Sequence, residues 1–131
     1  GEVAVTLFAA STARDTDFTA RLCVVDTEGR STNLVEGIIR GRYRDSLADP
    51  QLLSPGKIYE FGIKLGAVGA HIPAGSRLRL DIASSDFPQW DRNLNTGGPL
   101  FQENALASTI ATQTVLHNQT HPSRISLSFL D

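Results

Sequence analysis

Apolar and polar residues alternate with a period of two, in short runs from one end of the chain to the other. No feature restricts the fold more. Residues 2–10 place Val3, Val5 and Leu7 on one face, and residues 18–26 do the same with Phe18, Ala20, Leu22 and Val24. Residues 57–65 carry Tyr59, Phe61, Ile63 and Leu65, while residues 77–84 set Leu78, Leu80 and Ile82 against Arg77, Arg79 and Asp81. A side chain returning to the same side at every second position is the geometry of a strand with one face on a core. Weaker runs at 31–35, 37–43 and 110–118, and a last one through Ile125, Leu127 and Phe129, bring the expected total to about eight strands. No segment has a helical period, and only residues 104–109 suit a single helical turn. Turn residues separate the runs: Thr27-Glu28-Gly29 suits a hairpin, and Asp49-Pro50, Pro55-Gly56 and Pro122-Ser123 suit loops. Short strands with such punctuation imply an all-β antiparallel sandwich or barrel, and the long crossing loops favour a jelly roll over a meander.

The 131 residues suit one domain, large enough to bury about two-thirds of the unfolded surface. A formal net charge of −2 supplies no basic field, so neither nucleic acid nor an anionic membrane is an expected partner. No apolar run approaches the ~20 residues of a membrane helix, nothing resembles a signal peptide, and a cytoplasmic location is favoured. Cys23 is the only cysteine and lies in a strand run, which predicts a buried, inert thiol.

One stretch breaks the pattern. Residues 84–98 read SSDFPQWDRNLNTGG, and no period resumes until about residue 109. Pro88 and Pro99 cannot donate to a ladder, and Gly97-Gly98 marks a loop. Phe87 and Trp90 are expected to anchor the loop on the domain, while Asp91, Arg92, Asn93 and Asn95 hydrogen-bond it. With Asp86, these residues form the candidate interface or binding loop. Arg92 is the expected ion partner of Asp86 and Asp91.

Chemistry is sparse. The nearest match to a nucleophile elbow, Gly29-Arg30-Ser31-Thr32-Asn33, lacks the final Gly and lies on a hairpin. His71, His117 and His121 have no metal spacing, and Gly66 and Gly69 complete no phosphate-binding motif. Asp15 and Asp17 are expected to hold a turn, with half of a calcium site as the alternative. Asn118-Gln119-Thr120 fits a glycosylation sequon but needs a secretory context. No catalytic, cofactor-binding or metal-binding residue is expected, and no cofactor.

Within residues 77–98, the string LRLDIASSDFPQWDRNLNTGG resembles the C-terminal domain of the X-prolyl dipeptidyl peptidase and cocaine esterase group of serine hydrolases. QTVLHNQTHPSRISL at 113–127, DTDFTARL at 15–22, NLVEGIIRGRY at 33–43 and PGKIY at 55–59 resemble it too, in the same order. The resemblance implies a jelly-roll, galactose-binding-like β-sandwich. It also implies that residues 1–131 are one non-catalytic domain, a C-terminal fragment of a larger hydrolase whose Ser-His-Asp triad sits in a separate α/β-hydrolase domain. The implied partners are that domain in the same parent chain, whose substrate cleft the module helps to wall, and further copies in a homo-oligomer. It further implies at least one strand before Gly1, whose absence would expose a ladder to another copy. The alternative is an independent carbohydrate-binding module that uses Trp90 and its polar neighbours.

Overall fold

The computed structural model describes residues 1–129. Among these residues seven strands are formed: β1 (Glu2–Ser11), β2 (Asp17–Val25), β3 (Ser31–Arg40), β4 (Tyr59–Ala67), β5 (Arg77–Ala83), β6 (Gln113–Leu116) and β7 (Arg124–Ser126). They make two antiparallel sheets. In one, β1 lies between β4 and the two short strands; in the other, β2 lies between β3 and β5. Val3, Val5, Leu7 and Ala9 of β1 join Phe61, Ile63 and Leu65 of β4 against Phe18, Ala20 and Leu22 of β2. The rings of Phe18 and Phe61 approach to 4.9 Å between centroids. These are the residues that alternation placed on single faces, and their burial between the sheets makes the chain a β-sandwich. Each large apolar side chain so buried stabilises the fold by about 1.5–3 kcal/mol.

The two runs at 31–35 and 37–43 are one strand. Val35 pairs with Leu22 and Asn33 with Cys23, so Leu34 is an extra residue and the alternation changes phase at that bulge. Residues 41–43 leave the strand as a 3-10 turn, Gly41–Tyr43, whose first N–H donates to Thr16 O at 2.7 Å. The last two strands are also shorter than the alternation predicts. β6 pairs with Phe8–Ser11 of β1 and β7 with Ala4–Thr6. A ten-residue strand offers one edge, and the two strands divide it. Ile110 is therefore left fully exposed in the preceding loop, and Phe129 is 71% exposed beyond β7.

β2 is covered on both faces. Thr19 and Cys23 point away from the core yet are 6% and 3% exposed, beside an outer layer of charged side chains from β3, β5 and the loop after β5. No described helix is long and apolar enough to cross a membrane. From residue 84 to residue 112 the backbone forms no strand, and its one 3-10 turn, Ala105–Ala107, falls inside the predicted 104–109 window. Asn104 caps that turn by accepting from Leu106 N.

Candidate functional site

The polar break between β1 and β2 is an ion-pair bolt. Asp15, Thr16 and Asp17 are 0%, 0% and 2% exposed. Buried carboxylates need charged or hydrogen-bonding partners. Arg42 donates its backbone N–H to Asp15 Oδ1 (2.9 Å) and its Nε to Oδ2 (2.7 Å). Arg40 grips Asp17 in bidentate fashion, Nε to Oδ1 at 2.9 Å and Nη2 to Oδ2 at 3.0 Å. From the long loop, Asn93 Nδ2 donates to Asp15 Oδ2 (3.0 Å) and Asp17 Oδ1 (2.8 Å), which ties the two acids together. The hydrogen bond to Asp17 raises Arg40 further above the usual guanidinium pKa, against the opposing effect of its burial. Every carboxylate oxygen of the pair thus faces an N–H donor, so the half-calcium alternative finds its ligands already taken. Among the described residues no group of three or more His, Cys, Asp or Glu could hold a metal ion.

Sequence reasoning missed this bolt, although a signal was present. Asp15 and Asp17 are two residues apart, as are Arg40 and Arg42, and Asp17 pairs with Arg40 across the β2–β3 ladder. Equal spacing on antiparallel partners sets two opposite-charge pairs side by side.

The loop is fastened in two parts. In the first, Asp86 pairs with Arg21 at 2.5 Å, and Asp91 reaches Arg40 at 3.1 Å. Arg92 pairs with neither acid: its guanidinium lies 4.5 Å from the centre of the Phe87 ring. The acids face the sandwich, where strand arginines meet them, while Arg92 and the 57%-exposed Phe87 stack on the outside. Trp90 is half-buried, and its backbone N–H donates to Asp86 O at 3.2 Å. In the second part, Leu94 to Thr109, the ends meet. Thr109 N donates to Leu94 O at 2.9 Å, and Asn95 Nδ2 donates to Thr109 O at 2.9 Å. Thr96 Oγ1 donates across the loop to Glu103 Oε2 at 2.6 Å, and Arg42 Nη2 donates to Gly98 O at 2.9 Å. A segment with joined ends, packed by its own side chains, is an Ω-loop. Gly97, at φ +78°, lets the backbone turn tightly against Arg14 and Leu52. The cleft at the loop's root holds about 200 Å³, less than the ~300–1,000 Å³ of small-molecule pockets.

Arg21 also pairs with Glu36 at 2.5 Å. That hydrogen bond holds Glu36 below the usual glutamate range, against a smaller opposing effect of burial. A depressed folded-state pKa means stability that is present above the unfolded value of about 4.3 and lost as pH falls through the folded one. Arg21 is 39% exposed, which limits the contribution to about 1 kcal/mol or less. In acid titrations of stability, Glu36→Gln is expected to flatten the slope below about pH 4.3 while leaving the rest of the curve parallel.

Among the described residues no histidine side chain forms a hydrogen bond or an ion pair. Cys23, the one thiol, is buried. Residues 1–126 match the family described as the X-Pro dipeptidyl-peptidase C-terminal non-catalytic domain. The chain belongs to that family. A relative, the cocaine esterase of Rhodococcus sp. (strain MB1 Bresler), is 40% identical over 130 residues, which are 99% of this chain and 23% of the esterase. Among solved structures, an α-amino acid ester hydrolase superposes with a TM-score of 0.91 at 30% identity, covering 96% of this chain and 22% of the hydrolase. An aminopeptidase from a marine sediment Thaumarchaeota archaeon gives 0.87 at 31% identity, covering 95% and 22%. An X-Pro dipeptidyl-peptidase C-terminal domain is thus a small part of much longer hydrolase chains.

Proposed function

We propose that this module packs on the α/β-hydrolase domain of a parent serine hydrolase of the dipeptidyl-peptidase or acyl-esterase type. There its long loop, Asp86 to Gly98 and beyond, helps to wall the substrate cleft or to hold an oligomer. The observation that carries this reading is the bolt. A non-catalytic domain has no chemistry to position, yet buried ion pairs fix the shape of its longest loop. A loop held in one conformation before contact loses little entropy on docking. The acyl-enzyme chemistry belongs to the parent's hydrolase domain. On nitrophenyl esters the isolated chain is expected to show no turnover above the blank. Turnover that persists after its serines are replaced would overturn the proposal.

The carbohydrate-binding alternative needs Trp90 facing solvent and free polar groups beside it. Trp90 is half-buried, Asp91 and Asn93 are bound to the sandwich, and Asn95 is bound to Thr109. A sugar panel titrated against Trp90 fluorescence is expected to leave a blue-shifted emission unchanged. Saturable quenching by any sugar would favour the alternative.

A further inference from the structure

The loop divides into a fastening and a face. Asp86, Asp91 and Asn93 are turned onto the sandwich, and Asn95 closes the root of the Ω-loop. Phe87 is 57% exposed under Arg92, but the most exposed apolar residues come later: Phe101 is 85% exposed, Leu106 91% and Ile110 100%. None of the three belongs to the core. From Pro99 to Ile110 the only charged side chain is Glu103, and it is drawn back onto Thr96. A charge-poor, apolar tip with an aromatic residue is the composition of an interface centre rather than of a solvated loop. Phe101 also has φ +61°, a left-handed conformation unfavourable for a bulky side chain. It sits between the Arg42–Gly98 hydrogen bond and the Thr96–Glu103 brace. Backbone outliers held by their surroundings concentrate where something is bound.

We infer that the tip of the Ω-loop, with Phe101 and Leu106 as its anchors, is the surface that seats in the parent's hydrolase domain. The inference rests on the docking reading above and narrows it to one face. The occupant follows from length: this module makes up 22–23% of its relatives, so more than three-quarters of such a protein lies outside it. The bolt's contribution is aim. It holds the loop's root in one orientation, so the anchors reach the body without a search.

The test uses the full parent hydrolase. The double variant Phe101→Asp/Leu106→Asp is compared with Val115→Asp, a control at a 43%-exposed apolar residue of β6. Native limited proteolysis and thermal unfolding are followed, and protection of the β1 and β2 amides from exchange checks that the module stays folded. The expected result is release of the module at least tenfold faster in the double variant, with its thermal transition split in two and Val115→Asp behaving as wild type. Faster release in Val115→Asp but not in the double variant would overturn the inference and leave docking through another face. Loss of oligomer mass with the module still docked would also overturn it, as would wild-type release in both variants. Docking itself fails on a separate observation: a wild-type parent that already melts as two independent units.

Discussion

Asp15→Ala is expected to lower the stability of the sandwich by about 3–5 kcal/mol, the cost of breaking one half of a buried ion pair. Asp15 is completely buried, and its partner Arg42 is only 10% exposed. Truncation leaves the Arg42 N–H and Nε, and one bond of Asn93, without an acceptor in a place water does not reach. For a domain of this size the melting temperature should fall by about 10 °C or more. Loss of the anchor also frees the loop's root, because the same Arg42 holds Gly98 O. Amide exchange across residues 94–109 should therefore accelerate beyond what global destabilisation explains. Asp15→Leu combined with Arg42→Met removes both charges together and is expected to recover much of the loss, since no uncompensated ion remains. A melting temperature within ~2 °C of wild type for Asp15→Ala would refute the bolt.

Gly37→Ala is expected to cost about 3 kcal/mol, the upper end for overpacking. A Cβ at Gly37 would collide with the backbone carbonyl oxygen of Lys64 on β4 and press on the Cα of Leu65 at 3.1 Å. These are backbone atoms of the facing sheet, so no side chain can swing aside and the sheets themselves must part. Gly62, also mid-strand, provides the contrast. Nothing lies within 4 Å of a Cβ there, and its φ is not left-handed. Gly62→Ala should leave stability unchanged or raise it by up to ~1 kcal/mol, by reducing the freedom of the unfolded chain. Chemical denaturation of the two variants separates these effects, and similar midpoints for both would rule out the close approach of β3 to β4.

Strands β1, β2, β4 and β5 were legible because each has a face on the core, and a buried face writes its period directly into the residues. The residues of β3 read as two strands because the bulge at Leu34 reverses the alternation, and no local pattern distinguishes a bulge from a turn. β6 and β7 are shorter than their alternation predicts because their lengths depend on how they share one edge of β1, which neither segment encodes. In the loop, Asn95 bonds within the loop itself, to Asn93 and Thr109, but Asp91 and the Asn93 amide N–H find partners far off in sequence. Arg92 lay next to Asp91 in sequence and was the obvious mate, yet Arg40 takes that carboxylate from 51 residues away. Asn93 finds its two acids 76 and 78 residues back. The Asp-x-Asp pair, expected to hold a local turn, carries the most deeply buried charges among the described residues, Asp15 at 0% and Asp17 at 2% exposure.

The amino-acid order by itself determined a two-layer antiparallel β domain and the hydrolase family to which it belongs. Both are written in short contiguous strings, where strand period and family motif are properties of neighbours. Only the tertiary structure decided which charges are buried, which arginine meets which acid, and which part of the long loop faces outward. The energy of a charge or an apolar ring depends on what distant chain segments bring beside it, and sequence proximity does not report that.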